Sequence, residues 1–179
     1  LRYAEESRDT NPARFQPSFL YRYEDNAISA FCEETLLSCG RDDEAYARYA
    51  IEANVKSTYL ATFRAIAKKY PSMPPGRILD DLACATPGNE GKWFAAAKSA
   101  GLYDEAIALA NRTPCDPKTL LRAARDLHEK APQFALEAGM ASLRWLVEGY
   151  GYEITGADVL DAYRYTMIAS ESLGIQART

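Results

Sequence analysis

The chain has 179 residues and a net charge of −4, from 21 Lys and Arg against 25 Asp and Glu, and 47% of its residues are hydrophobic. This balance is typical of a globular protein and excludes a strongly basic nucleic-acid binder and a wholly disordered chain. Since no apolar run reaches the roughly 18 residues needed to cross a bilayer, we expect a soluble, cytoplasmic protein without a membrane partner.

The length suits a single domain with an arm. Residues 1–24 combine Pro12 and Pro17 with aromatic residues that show no sustained period, so we expect an N-terminal arm there. From Asn26 onward nearly every segment has the apolar period of a helix, and no segment alternates with the period of a strand. The sequence therefore predicts one all-α domain over residues 25–179, with about nine helices.

Capping and breaking residues divide these helices. Gly40 follows the first, Pro71 the third and Gly101 the fifth, because glycine favours the left-handed residue after a helix and proline cannot continue one. Asp116, followed by a proline, is an N-cap for the seventh helix. Thr155 begins the ninth as the first residue of a capping box.

A shift of 61 residues aligns the sequence with itself. Gly40 then matches Gly101, Pro71 matches Pro132, and charged residues between them also match. Self-similarity at a fixed period is typical of stacked helical architectures. We therefore predict two similar four-helix units, stacked as a helical-repeat array or a bundle, and closed by a C-terminal helix. The two units and the closing segment are expected over 25–87, 88–149 and 150–179.

Two short stretches carry a resemblance to a known family. GLYDEAI, from Gly101 to Ile107, resembles the turn and second-helix start of tetratricopeptide-like repeats, and GRDDEA, from Gly40 to Ala45, is a less complete copy. The period of 61 departs from that family's period of about 34. The resemblance implies stacked helical hairpins that form a curved scaffold for peptides or partner proteins.

Tyrosine and arginine recur together along the chain, and both are favoured at binding hot spots. One candidate groove is lined by Tyr46, Arg48 and Tyr49. The other is the glycine-rich connection that carries Tyr150 and Tyr152. The alternative for these tyrosines is packing between helices with the hydroxyl in water.

A nucleic-acid interface is the alternative function. Arg64 and Arg125 occupy equivalent positions of the 61-residue repeat, and other basic residues would join them on one side if the units stack. Interspersed carboxylates weaken that interpretation. The neighbouring basic residues are Lys68, Lys69, Arg122 and Lys130.

A third alternative is a small-molecule enzyme or sensor with a pocket near Trp93, His128 and Trp145, although no catalytic motif accompanies them. The four cysteines lack the close pairs of a zinc site, so we expect reduced core thiols and no metal or cofactor. Acidic pairs such as Glu33-Glu34 are expected on solvated faces.

The favoured function is a non-enzymatic protein–protein interaction module, alone or as the helical end of a larger protein. Its partner is expected to be another protein or a peptide.

Overall fold

The fold is built from helices. In a computed structural model of the chain, residues 19–174 are described, with side chains from residue 26 onward. These residues form nine α-helices and one 3₁₀-helix and contain no strand, which confirms the all-α prediction. In chain order the α-helices are α1 (Phe19–Ser38), α2 (Asp42–Ala53), α3 (Tyr59–Lys69), α4 (Pro75–Cys84), α5 (Phe94–Ser99), α6 (Tyr103–Arg112), α7 (Pro117–Leu127), α8 (Pro132–Val147) and α9 (Gly156–Ser172). The 3₁₀-helix, Glu90–Trp93, precedes α5.

Helix α1 begins at Phe19, earlier than the apolar pattern from Asn26 predicts. The aromatic residues before Asn26 lack a helical period, so periodicity could not locate this start. The end of the expected arm, residues 19–24, is therefore helical. Residues 1–18 of that arm lie outside the described part of the chain.

The chain divides into two compact units between Pro74 and Pro75. The first unit contains α1 to α3, and the second contains α4 to α9. Two successive prolines suit such a boundary, because proline cannot continue a helix and also restricts the residue before it. The boundary therefore comes earlier in the chain than the one predicted from the 61-residue repeat, which lies after residue 87.

In the first unit α1 packs along α2. Cys32 and Leu36 of α1 and Ala45 and Tyr49 of α2 are at most 3% exposed, so they form a shared core. Burial of apolar side chains contributes about 25 cal/mol for each Å² removed from water. The connection between α1 and α2 allows this packing because Gly40 takes a φ of +69°.

In the second unit α8 is central, since it packs against α6, α7 and α9. Its contact with α9 is close at Gly139, where a Cβ atom would collide with Oγ1 of Thr166. The indole nitrogen of Trp145 donates to the carbonyl oxygen of Ala110 at 2.8 Å, which links α8 to α6. Helix α8 thus contacts both α7 and α9, which also contact each other.

The predicted helix N-caps at α7 and α9 are present. Oδ2 of Asp116 accepts a 3.0 Å hydrogen bond from the amide of Thr119 at the start of α7. At α9 the Thr155 amide donates to Asp158 at 2.8 Å, and the Thr155 hydroxyl accepts from the Asp158 amide. These bonds satisfy amides that have no partner within the helix.

The turns at Gly40 and Gly101 share one geometry. Their φ angles are +69° and +76°, and the amide after each glycine donates to the carbonyl five residues earlier at 3.0 Å. The turn at Gly149 has the same hydrogen bond, so this is a general way to end a helix. Because α1 has 20 residues and α5 has six, the helices before the first two turns differ in length. The duplication stays a prediction.

Two of the four cysteines depart from the expected core position. Cys32 and Cys115 are buried, whereas Cys39 and Cys84 are exposed, and all four are free thiols. Cys39 lies after the last residue of α1, and Cys84 is the last residue of α4. The stripe that buries a helix face does not extend to residues at the helix end.

Candidate binding cleft

The second unit contains an open cleft of about 620 Å³. Helix α7, helix α9 and the connection before α9 form its walls, and we call it the α7–α9 cleft. The volume is within the range of about 300–1,000 Å³ that ligand clefts usually have. Its lining residues are Asp116, Lys118, Leu121, Arg122, Arg125, Tyr152, Glu153, Asp158, Asp161 and Tyr165.

Helical periodicity places the lining residues of α7 on one face. Lys118, Leu121, Arg122 and Arg125 follow the spacing i, i+3, i+4 and i+7, which is one stripe of an α-helix. The opposite stripe of α7, which includes Leu120 and other apolar residues, is buried. The amphipathic pattern therefore presents three cations to the cleft.

The connection between α8 and α9 has an unusual backbone. Gly149 and Gly151 have φ angles of +83° and +109°, and Glu153 has a φ of +49°, in the left-handed region that non-glycine residues seldom enter. The ammonium group of Lys118 donates to the Glu153 carbonyl oxygen at 2.8 Å. A Cβ atom at Gly151 would lie 2.7 Å from Cδ1 of Ile154. Lys118 thus ties the connection to α7, and Tyr152 is left 80% exposed.

Both cations and carboxylates line the cleft. Lys118 lies 3.8 Å from Asp158, and Arg125 pairs with Asp126 at 2.9 Å. The hydrogen bond and charge of Asp126 raise the pKa of Arg125. Hydrogen bonds from the backbone and side chain of Thr155 lower the pKa of Asp158, and Lys118 adds to this effect. Both groups are therefore charged near neutral pH.

The structure does not gather Tyr46, Arg48 and Tyr49 into an open groove. Tyr49 is 3% exposed and belongs to the core of the first unit, which corrects the expectation that its ring lines a groove. The ring of Tyr46 contacts Tyr70 edge-on, with centroids 5.2 Å apart. Arg48 forms a 3.1 Å ion pair with Glu44 on the surface of α2. Helical packing accounts for two of these three residues.

The two tyrosines of the glycine-rich connection, Tyr150 and Tyr152, have different surroundings. Tyr150 is 44% exposed, and its ring packs edge-on against Trp145, with centroids 5.2 Å apart. Tyr152 points into solvent and lines the α7–α9 cleft. Only Tyr152 of the five predicted partner-binding residues lies at this cleft.

The residues of the other two alternatives belong to different elements of the fold. Arg125 lines the cleft, whereas Arg64 is an exposed residue of α3 in the first unit. Trp93 and Trp145 are each 3% exposed and belong to the core of the second unit. His128 caps the end of α7, where its Nδ1 lies 2.6 Å from the Arg125 carbonyl oxygen. None of these last three residues lines the cleft.

Sequence reasoning did not single out Lys118 and Asp161. It named Arg122 only as a member of a basic stripe. The polar face of α7 was visible as the i, i+3, i+4, i+7 pattern of Lys118 to Arg125. The opposite wall of the cleft consists of Asp158, Asp161 and Tyr165 of α9. Its position facing α7 depends on how α9 packs on α7 and α8, and no local sequence pattern indicates that packing.

A second polar cluster lies in the core of the first unit. Glu33 is 0% exposed, which corrects the expectation that this acidic pair is solvated. Its Oε1 accepts hydrogen bonds from Asn54 at 2.7 Å and Tyr70 at 2.6 Å, and its Oε2 contacts the Lys69 ammonium at 2.5 Å. Burial, with the hydrogen bond to Glu33, raises the pKa of Tyr70. Since both carboxylate oxygens are occupied, we interpret this cluster as a structural link between α1 and α3.

Among the side chains of residues 26–174 no group of three or more His, Cys, Asp or Glu is arranged to hold a metal ion. No helix within residues 19–174 has the length and apolar character required to cross a membrane. No protein-family model matches the chain, and comparisons with curated proteins and with solved structures found no match.

Proposed function

We propose that this chain is a non-enzymatic interaction module that binds a segment of a partner protein in the α7–α9 cleft. The observation that supports the proposal is the exposed ring of Tyr152, which lines the cleft together with the cations of α7, on a connection that Lys118 ties to α7. A rigid aromatic ring gives contact area with little loss of conformational entropy on binding. A preformed surface reduces the cost of ordering further.

The charge of the cleft favours a polypeptide over a nucleic acid. Three cations, from Lys118, Arg122 and Arg125, line the cleft with four carboxylates. A nucleic acid carries a dense row of phosphates, which needs an excess of Lys and Arg. A polypeptide can offer both charge signs and apolar side chains, and therefore matches this mixed lining.

In this proposal the module has a scaffold of stacked helical hairpins and lies in the cytoplasm. Helical hairpins such as α7–α8, stacked in the manner of tetratricopeptide-like repeats, would supply a rigid support for the cleft. Four free thiols are typical of a reducing compartment, which supports a cytoplasmic location.

Peptide display on the full chain tests the proposal. Random 12-residue peptides would be selected against the purified protein, and their affinities measured by fluorescence anisotropy. Tyr152→Ala should weaken binding at least about tenfold, since truncation of a hot-spot aromatic typically costs 2 kcal/mol or more. Tyr163→Ala is the matched control, because Tyr163 is also exposed (59%) but does not line the cleft.

Two results would contradict this function. The first is the absence of any peptide whose binding depends on Tyr152. The second is tight binding of a labelled single-stranded oligonucleotide that Tyr152→Ala and Arg125→Ala abolish, which would support the nucleic-acid alternative. Far-UV circular dichroism of each variant establishes that the helices are retained.

A further inference from the structure

Among the cations of the cleft, Arg122 differs in its partners. Lys118 lies near Asp158 and Arg125 pairs with Asp126, whereas Arg122 has no carboxylate within ion-pair distance among the described residues. Its Nε donates to the Lys118 carbonyl oxygen and its Nη2 to the Thr119 hydroxyl oxygen, each at 3.1 Å. Both acceptors are neutral.

These hydrogen bonds fix the guanidinium group of Arg122. The Thr119 hydroxyl, which accepts from Arg122, donates in turn to Oδ2 of Asp116 at 2.7 Å. Asp116 is itself held as the N-cap of α7. A chain of side chains therefore orients an exposed cation, so that less entropy is lost when an anion binds.

The groups around Arg122 favour a carboxylate over a phosphate as its anionic partner. A guanidinium group suits a carboxylate or a phosphate, because its planar donors match either in a two-pronged hydrogen bond. The four carboxylates of the cleft repel a phosphate, which has nearly two negative charges at neutral pH, more strongly than a singly charged carboxylate. The cleft is open, so a polypeptide can pass through it without ending there.

We propose that the α7–α9 cleft recognises its partner through an internal aspartate or glutamate side chain, which forms an ion pair with Arg122 while a neighbouring residue contacts Tyr152. This inference rests on the proposed function and names the chemistry of the bound segment. The carboxylate would pair with Arg122, the only cationic side chain of the cleft that lacks an anionic partner among the described residues.

A double-mutant cycle tests the ion pair. Peptides selected on the full chain, with amidated C-termini, would be synthesised with each Asp or Glu replaced by Asn or Gln. At one position this change should weaken binding to the wild-type protein at least about tenfold, as expected for a charge-assisted hydrogen bond. In Arg122→Gln the same change should have no further effect. The control Arg77→Gln, an exposed arginine of α4, should behave as the wild type.

A second selection, against Arg122→Glu, should enrich peptides that carry Lys or Arg in place of the acid. The inference is overturned if peptides bind through Tyr152 without any such coupling, and the proposed function then stands. It is also overturned if the coupling requires a free C-terminal carboxylate, or if phosphoserine at the coupled position binds more tightly than glutamate. If no peptide depends on Tyr152, the proposed function and the inference both fail.

Discussion

The phenolic hydroxyl of Tyr70 donates a 2.6 Å hydrogen bond to Oε1 of Glu33, a carboxylate that is entirely buried. The two residues lie at the end of α3 and within α1. A buried carboxylate is tolerated when donors surround it, because an isolated charge would lose its hydration without compensation. Asn54 and Lys69 provide the remaining donors.

Replacing Glu33 should therefore destabilise the first unit. We expect Glu33→Gln to lower the free energy of unfolding by about 2–4 kcal/mol, because the amide cannot accept from all three donors and leaves Lys69 without its anion. Urea denaturation followed by circular dichroism measures this change. The matched control is Glu34→Gln, an exposed neighbour that should change the value by less than about 0.5 kcal/mol. Equal losses in the two variants would contradict the structural role of Glu33.

Stability should fall at alkaline pH, partly through Tyr70. Burial and the bond to Glu33 raise the pKa of Tyr70 above its ordinary value of about 10. Below about pH 10 the hydroxyl is protonated in both the folded and the unfolded chain, and its contribution is fully present. Above that pH the unfolded chain releases a proton that the folded chain keeps, so stability declines as pH rises, by about 1.4 kcal/mol per pH unit.

Unfolding measurements at pH 8 and pH 11 would isolate this contribution. The decline between the two values should be smaller in Tyr70→Phe than in the wild type. Tyr163→Phe, which removes the hydroxyl of an exposed tyrosine, should retain the full decline. A decline of the same size in all three proteins would exclude Tyr70 as its source.

The four thiols should react at two distinct rates. Burial raises the pKa of Cys115 to about 12, so this group is a thiol near neutral pH, and Cys32 is 0% exposed, so a reagent cannot reach it in the folded chain. Labelling with a thiol reagent should therefore be fast only at Cys39 and Cys84. Cys39→Ser combined with Cys84→Ser should remove the fast phase, and denaturant should expose the two remaining thiols. Labelling of Cys115 as fast as that of Cys39 would show that the C-terminal side of α6 opens readily.

Because α8 and α9 are in close contact at Gly139, we expect the stability of the protein to depend on the size of the side chain at this position. Gly139→Ala would place a methyl group against Oγ1 of Thr166, so we expect a loss of about 1–3 kcal/mol in spite of the better helix propensity of alanine. Thr166→Ala in the same chain should recover part of that loss, since it removes the atom that is met first. Thermal denaturation compares the single and double variants.

Gly76→Ala is the control for this prediction. Gly76 also lies in a helix, α4, but nothing is within 4 Å of the position of its Cβ atom. Alanine there should be neutral or stabilising by up to about 1 kcal/mol. Absence of recovery in the Gly139/Thr166 double variant would indicate that another neighbour limits the space.

Several features of the candidate site were predictable from the sequence. The glycine-rich connection with Tyr152 is visible in the sequence, because three glycines and two aromatic residues between long helices are an uncommon combination, and partner binding there stays a prediction. Arg125 was recognised as part of a basic set. The prediction at Tyr49 was wrong, since a tyrosine on an amphipathic helix has the same pattern whether its ring faces a groove or the core.

By itself the sequence determined the helical class, the capping box at Thr155 and the glycine turns, because each depends on residues within a few positions of one another. Only the tertiary structure decided that Glu33 is buried while its neighbour Glu34 is exposed. It likewise decided that Arg122 and Tyr152 share one cleft. Both outcomes depend on which helix faces pack together, and that choice is made by the summed burial of many distant residues, which no local pattern encodes.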